Sequence, residues 1–319
     1  MKALLTGITG NLGYEVSLNL IKRGITVVPC VRPGRVDILS SYPVKFDQVV
    51  ECDLTDEEDC DINLSEEVDC IVHCAGVVHF NMAGDKNQQM MLRVVKLATK
   101  LKIPIYAVST AFVYKPLDIN GKFNNSYEED KFLAEKILIS SGVPYGILRP
   151  SVLTGNSVTG DIQNFSGYYF IVRAFMLAVH KANEQKRVLR FPRMTGRSDM
   201  VPVDETADQI GKIVESGQLG EITYITNPES PRSEWLLDET LDFYGVRDVV
   251  NMLDTSFQEF GKLDLTEEEL TLYKLASHFA PYWSMNYEFP TSVCKHNFID
   301  HEYLKKILTV FRDKEDFKY

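Results

Sequence analysis

Met1 to Gly13 reads MKALLTGITGNLG, and the rest of the chain is arranged around this stretch. Lys2 to Leu5 is a short apolar run, and Gly7, Gly10 and Gly13 recur every third residue ahead of an amphipathic segment. That order predicts a strand, a glycine turn and a helix, the opening of a nucleotide-binding βαβ unit. Gly7 lets the chain leave the strand end, Gly10 lets the backbone approach a pyrophosphate, and Gly13 lets helix and strand pack closely. Backbone N–H groups at the new helix terminus would face the anion. A glycine triplet also occurs in ordinary tight turns, so the prediction depends on the elements downstream of it.

Those elements alternate. Leu12, Val16, Leu20 and Ile21 mark one helical face ending at Gly24, and Ile25 to Val31 is a continuous apolar run, the second strand. Where a site for NAD usually places a carboxylate, Arg32 and Arg35 stand instead. A guanidinium binds a ribose 2′-phosphate with paired charge-assisted hydrogen bonds, so NADP(H) is the expected cofactor, the alternative being two solvated loop arginines. Gln48 to Cys52 is predicted as the third strand, closed by Asp53 and Leu54 near the adenine edge, and the acidic stretch from Asp56 to Asp69 as a solvated loop and short helix. Asp69 to Cys74 is the fourth strand, and Ala75, Gly76 and Val77 let backbone pass close to the cofactor. A covering helix over Asn87 to Lys100 and a fifth strand at Ile103 to Val108 complete an α/β pattern that calls for a Rossmann-type, doubly wound parallel sheet.

Ser109 and Thr110 fall at the carboxyl end of the fifth strand, where open α/β sheets place their ligands. A loop rich in Asn and Gly, Asn120 to Asn125, then leads into a helix carrying Tyr127 and Lys131, four apart and therefore on one face. An ammonium beside a phenol stabilises the phenolate and lowers its pKa, which suits a tyrosine to proton transfer at a carbonyl oxygen as hydride arrives at carbon. Thr110 would supply a second hydrogen bond to that oxygen. The same spacing also arises from a packed ring and a solvated amine.

Composition narrows the class of protein. The chain has 319 residues and a formal net charge of −11, which argues against nucleic acid or an anionic membrane as partner. It shows neither a secretory h-region nor an apolar run long enough to cross a bilayer, so a cytoplasmic location is expected. The six cysteines show no CxxC pair and are expected as reduced thiols. His73 and His79 near Cys70 and Cys74 match no common zinc spacing, and no metal site is expected.

TGITGNLG at Thr6–Gly13, STAFVY at Ser109–Tyr114, YEEDK at Tyr127–Lys131 and LRPS at Leu148–Ser151 together resemble the extended branch of the short-chain dehydrogenase/reductase superfamily. The resemblance implies a catalytic triad of Thr110, Tyr127 and Lys131 with Ser109 beside it. It also implies a cofactor site formed by Gly7, Thr9, Gly10, Asn11, Leu12, Gly13, Arg32, Arg35, Asp53, Leu54, Ala75, Gly76, Val77, Ser109, Tyr127, Lys131, Pro150, Ser151 and Val152. GVPYGILRP at Gly142–Pro150, GNSVTG at Gly155–Gly160, DMVPVD at Asp199–Asp204 and ITYITNP at Ile222–Pro228 are similar to the thioester reductase and fatty acyl-CoA reductase group. Those enzymes use NADPH to reduce an acyl thioester, on a carrier protein or coenzyme A, to an aldehyde or on to an alcohol. Another enzyme of the extended branch, such as a hydroxysteroid-type dehydrogenase or a sugar-nucleotide epimerase, and a non-enzymatic NADP-binding sensor are the alternatives.

On this reading residues 1–150 form the NADP-binding domain, to which a strand near 222–227 returns, and 151–319 form a smaller, mainly helical substrate-binding lobe. Phe165 to Val179 is expected as one of its helices; Thr266 with Glu269 makes a capping box for a second, and Asp300 can cap a last one. Between Arg173 and Arg197 lie Lys181, Lys186, Arg187, Arg190 and Arg193 with only Glu184 among them, a segment suited either to an acidic carrier protein or to a solvated helix face.

Overall fold

The computed structural model describes residues 1–56, 64, 67–78, 84–116, 122–290, 292–294 and 298–315. The chain opens with β1 (Lys2–Thr6), α1 (Asn11–Lys22), β2 (Thr26–Val31), β3 (Val50–Glu51), β4 (Cys70–His73), α2 (Lys86–Leu101), β5 (Ile105–Val108), α3 (Ser126–Ser140) and β6 (Tyr145–Pro150). It continues through β7 (Val152–Thr154), α4 (Tyr168–Glu184), β8 (Leu189–Pro192), β9 (Met200–Pro202), α5 (Val203–Ser216) and β10 (Ile222–Ile225). The remainder is α6 (Ser233–Tyr244), β11 (Val250–Leu253), α7 (Phe257–Phe260), α8 (Glu267–Ala276), α9 (Ala280–Trp283) and α10 (His301–Glu315).

Two compact units result. The first comprises Met1–Ser151, Val203–Thr226 and Phe289–Cys294. Its seven-stranded sheet runs β10-β6-β5-β4-β1-β2-β3, every pair parallel. The strand order reverses at β1 and β4, so the carboxyl ends of those strands open the crevice in which such sheets bind ligands. β1, β4 and β5 are covered on both faces, which is why they read as unbroken apolar runs rather than as alternation. Leu4, Ile71, Ile105 and Ile147 join Met90, Val94 and Leu138 from α2 and α3 in one core.

Four features of this unit depart from the sequence expectation. The third strand spans only Val50–Glu51. Helix α5, expected in the second lobe, belongs here because it packs on α1, where Arg23 reaches Asp208 at 2.6 Å and Glu215 at 2.5 Å. The segment Phe289–Cys294 also returns to this unit. Val293 N–H donates to Tyr224 O (3.0 Å), and the Ser292 hydroxyl accepts from Thr226 N–H (3.1 Å) and donates to Thr226 O (2.7 Å). Cys30, Cys70, Cys74 and Cys294 form no disulfide, whereas Cys52 is disulfide-bonded, against the expectation of six reduced cysteines. Most of the acidic stretch after Asp56 lies outside the described residues, as do His79 and the first two residues, Asn120 and Gly121, of the stretch expected as a loop before Tyr127.

The second unit comprises Val152–Pro202, Asn227–Glu288 and Lys295–Tyr319. It is mainly helical, with two small parallel sheets, β8 with β11 and β7 with β9. Tyr169, Phe175, Phe191, Leu304, Ile307 and Phe311 form its core. The Thr266–Glu269 capping box is present, and Asp300 accepts from Tyr303 N–H at 2.8 Å. The GNSVTG turn is anchored by two buried tyrosines: Gly155 N–H donates to the Tyr169 hydroxyl (2.8 Å), and the Tyr303 hydroxyl donates to Gly155 O (2.5 Å). Among the described residues no helix is long and apolar enough to cross a membrane, and no group of three or more His, Cys, Asp and Glu side chains could hold a metal ion.

Candidate active site

The glycine turn is built for close approach. Gly7 sits at φ +71°, and a Cβ there would meet Ala75 N at 2.4 Å; a Cβ on Gly13 would meet Gly7 O at 2.1 Å. Both positions therefore exclude any side chain. Gly10 N–H closes the turn on Gly7 O (3.0 Å), and α1 starts from Gly10 with no side-chain cap on its first N–H groups. Thr9 is exposed beside them, and Leu12 is buried beneath. The arrangement fits an anion such as a dinucleotide pyrophosphate.

Residues that the sequence reading missed hold the turn in place. Thr6 Oγ1, at the end of β1, bonds to Nδ1 of the buried His73 at 2.8 Å and accepts from Ala75 N–H at 3.3 Å, fixing β1 and β4 where Gly7 meets Ala75. Burial and the nearby Lys131 ammonium push His73 down to about 3, so the ring is neutral and serves as scaffolding. The Tyr42 hydroxyl donates to Ile8 O (2.7 Å), with its ring edge-on to Tyr14.

β2 stops at Val31, and Arg32 and Arg35 follow in an exposed turn closed by Arg35 N–H to Arg32 O (3.1 Å). Glu51 braces the same turn by accepting from Gly34 N–H (2.9 Å). Asp53 accepts from both the backbone N–H and the hydroxyl of Thr55 (2.8 and 2.7 Å), which with Arg32 and Arg93 holds its carboxyl below the ordinary value. The neighbouring Leu54 is buried, and its carbonyl accepts from Arg93.

Ala75, Gly76 and Val77 continue from β4. Asn87 grips Val77 by both edges of its carboxamide, Oδ1 accepting from Val77 N–H and Nδ2 donating to Val77 O, each at 3.1 Å. A Cβ on Gly76 would lie 3.5 Å from Lys131 Nζ, so the strand end and the lysine are neighbours. Pro150 ends β6 and Ser151 comes next, while Val152 opens β7 in the second unit. The buried hydroxyls of Ser109 and Ser151, at the carboxyl ends of the paired strands β5 and β6, have no hydrogen-bond partner among the described residues. Two orphaned donors at neighbouring strand ends are what a polar ligand would satisfy.

Thr110, Tyr127 and Lys131 come together at the same edge. Thr110 is buried, and its Oγ1 accepts from Phe112 N–H (3.4 Å), leaving the hydroxyl proton free to donate. Tyr127, half-buried in the first turn of α3, is hydrogen-bonded to Thr110. The α3 start is set by Asn125, whose Oδ1 accepts from Glu128 N–H (3.0 Å). Lys131 is buried one turn on, and its Nζ donates to Val108 O (2.8 Å). Burial lowers the lysine to about 8 against the opposing pull of Glu135 and Asp130.

The tyrosine differs from the expectation. Its pKa is raised, not lowered, because burial and the Glu128 carboxylate outweigh the hydrogen bond from Thr110, while the Lys131 ammonium is committed to Val108 O. The phenol is thus protonated at neutral pH and available as a donor. Sheet and helix are locked behind it by Arg149, whose Nε and Nη2 meet Glu135 at 3.0 and 2.5 Å while Nη1 donates to the Tyr224 hydroxyl.

Five residues of the basic segment pair with acids of their own unit. Arg187 lies 2.9 Å from Glu268, Arg190 is 2.6 Å from Glu269, and Arg173 is 2.5 Å from Glu315. Arg193 pairs with Glu234, and Lys181 stands 3.9 Å from Glu267. Acids far along the chain pair with these side chains and tie α8 to the α4–β8 region.

Among solved structures, the chain resembles the terminal R domain from the myxalamid PKS-NRPS biosynthetic pathway, at 21% identity and a TM-score of 0.71, covering 99% of this chain and 92% of that one. It also resembles a thiolation-reductase di-domain from an archaeal non-ribosomal peptide synthetase, at 19% identity and a TM-score of 0.70, covering 99% and 91%. WbmG of Bordetella bronchiseptica, solved in complex with NAD, matches at 18% identity and a TM-score of 0.61, covering 98% and 94%. No curated protein matches the chain. The sequence pattern of the NAD dependent epimerase/dehydratase family matches residues 3–227, and by that match the chain belongs to this family, within the extended short-chain dehydrogenases/reductases.

Proposed function

We propose that the protein is an NADPH-dependent reductase of acyl thioesters, borne by a carrier protein or coenzyme A, that yields an aldehyde or carries it on to an alcohol. The observation that carries this reading is the Tyr127 phenol, protonated and hydrogen-bonded to Thr110, one helical turn from Lys131 at the carboxyl edge of the sheet. Similarity over 99% of the chain to two reductase domains of assembly-line synthetases supports the thioester as substrate class. Arg32 and Arg35, in place of a carboxylate after β2, support NADPH over NADH.

When bound, the nicotinamide supplies the hydride. The turn at Gly7, Thr9, Gly10, Asn11, Leu12 and Gly13 would hold the pyrophosphate, Arg32 and Arg35 the 2′-phosphate, and Asp53 and Leu54 the adenine. Ala75–Val77, Ser109, Lys131, Pro150, Ser151 and Val152 would hold the ribose and nicotinamide. At the substrate, Tyr127 donates to the carbonyl oxygen, and Thr110 redirects to the same oxygen the proton it otherwise gives Tyr127, so that both hold the charge that develops there. Tyr127 passes its proton to that oxygen, and the thiohemiacetal so formed collapses to aldehyde and thiol. Lys131, its Nζ held by Val108 O beside Gly76, fixes the geometry of the strand end, and the phenol regains its proton from solvent.

NADPH oxidation with a panel of acyl-CoA thioesters, carrier-bound acyl groups, aldehydes and ketones tests the reading. Thioesters are expected to be turned over, and Tyr127→Phe is expected to lower kcat by at least roughly 100-fold while NADPH binding changes little. Near-normal turnover by Tyr127→Phe would refute the acid role, and activity confined to ketones would replace the substrate class.

A further inference from the structure

Arg35 opens a 3₁₀ turn, Val36–Ser41, which ends with Tyr42 N–H donating to Leu39 O (3.1 Å) and is anchored by the buried Leu39. The chain is thereby led from the two arginines after β2 back to the glycine turn after β1. There the Tyr42 hydroxyl donates to Ile8 O at 2.7 Å, across 34 positions of sequence. The ring that carries this hydroxyl is fixed on two sides, edge-on to Tyr14 of α1 with centroids 4.9 Å apart and edge-on to Phe46 at 5.7 Å. Burial, with Tyr14 beside it, pushes the phenol up to about 12, so it keeps its proton throughout the neutral range.

Ring packing alone would be served by a phenylalanine at position 42; the hydroxyl adds an orientation. Ile8 and Thr9 are the central residues of the turn that Gly10 N–H closes on Gly7 O. The peptide joining them is planar and trans, so its C=O and N–H point in opposite directions. A hydroxyl that holds Ile8 O on one side therefore sets Thr9 N–H on the other. Thr9 is exposed, and its N–H makes no hydrogen bond among the described residues. It stands beside the start of α1, whose first N–H groups have no side-chain cap. We propose that Tyr42 is a positioning residue for the cofactor, its bond to Ile8 O aiming Thr9 N–H at a phosphate of the dinucleotide. That phosphate is either the pyrophosphate over the glycine turn or the 2′-phosphate at Arg32 and Arg35, from which the segment ending in Tyr42 runs. The inference rests on the dinucleotide-binding part of the reading above and is independent of the substrate class.

The test is binding to the full chain, without turnover. Dissociation constants are measured for NADPH and NADH by fluorescence titration, and for adenosine, which carries no phosphate, by ligand-observed NMR. Wild type is compared with Tyr42→Phe and Phe46→Leu. Tyr42→Phe is expected to raise the constant for NADPH roughly 5- to 10-fold, the worth of about one hydrogen bond to a charged group, and to leave adenosine within about twofold. An equal loss for NADH assigns Thr9 N–H to the pyrophosphate, whereas a loss confined to NADPH assigns it to the 2′-phosphate. Phe46→Leu removes a ring contact and keeps the hydroxyl, and it is expected to bind all three ligands as wild type does. The proposal is overturned if Tyr42→Phe binds NADPH like wild type, if adenosine weakens in the same proportion, or if Phe46→Leu costs as much as Tyr42→Phe. In each of those cases the cofactor reading stands, because wild type still binds the dinucleotide. Wild-type protein that bound neither dinucleotide would remove the cofactor reading, and this inference with it, before any variant was made.

Discussion

Asp130 caps a helix to which it does not belong. From α3 its Oδ2 accepts from both the backbone N–H (2.9 Å) and the side-chain Nδ2 (2.7 Å) of Asn87 in the first turn of α2, and its Oδ1 accepts from Gln88 N–H (3.2 Å) and Nε2 (3.0 Å). The α2 cap residue, Asp85, makes no side-chain cap bond of its own. Asp130 therefore satisfies the orphan donors of α2 and orients Asn87, which in turn pins Val77. Replacing Asp130 with Ala is expected to cost about 2 kcal/mol of stability, the sum of a lost cap and buried donors left unsatisfied. Urea unfolding checks it. The same variant is expected to weaken cofactor binding, because Val77 loses its brace.

The two arginines after β2 offer a test of cofactor choice. Arg32→Ala with Arg35→Ala is expected to raise the dissociation constant for NADPH roughly 10- to 100-fold, the worth of charge-assisted hydrogen bonds to a phosphate, and to leave NADH binding nearly unchanged. Fluorescence titration with both nucleotides reads the ratio directly. Equal losses for the two would show that the arginines do not meet the 2′-phosphate.

Arg190 and Glu269 make a third prediction, about stability. Burial opposes the charge of Glu269, yet hydrogen bonds from Arg190 and Thr266 prevail and hold its carboxyl below the ordinary value; Glu268 beside Arg187 behaves likewise. A carboxyl depressed in the folded state adds stability that is present above its unfolded value near 4.3 and is lost as pH falls through the folded value. Urea midpoints are thus expected to drop below about pH 4.5, and Arg190→Ala to flatten part of that drop. Arg190→Glu sets a second carboxylate against a buried one and is expected to destabilise the fold by about 3 kcal/mol at pH 7. A variant that kept its wild-type midpoint while losing affinity for a carrier-bound substrate would return the segment to a docking role.

Much of the first unit was legible because parallel strands buried on both faces write themselves as apolar runs, and Gly7, Gly10 and Gly13 mark a turn that only glycine fits. Tyr127 and Lys131 declared their shared face by spacing, and Thr266 and Asp300 announced their helices by local capping chemistry. Asn125 with Glu128 carries the same kind of local signal at the start of α3. The partners of Asp130 and Arg190 did not show, since they lie 43 and 79 residues away, and nothing local in a sequence encodes such pairings. For the same reason the arginines of the basic segment looked unopposed, and the short third strand looked longer than its two paired residues. The sign of the tyrosine's shift is set first by its burial and then by Glu128, which the spacing of Tyr127 and Lys131 does not determine.

The segment Phe289–Cys294 has a bearing on truncation as well as on the finished fold. β10 is an outer strand of the seven-stranded sheet, and the bonds that Tyr224 and Thr226 make to Ser292 and Val293 occupy the rim that would otherwise accept a strand from another molecule. An open rim is a template for aggregation. Because its cover lies nearly seventy residues further along, a chain shortened ahead of Ser292 would keep every strand of the sheet and leave this rim bare.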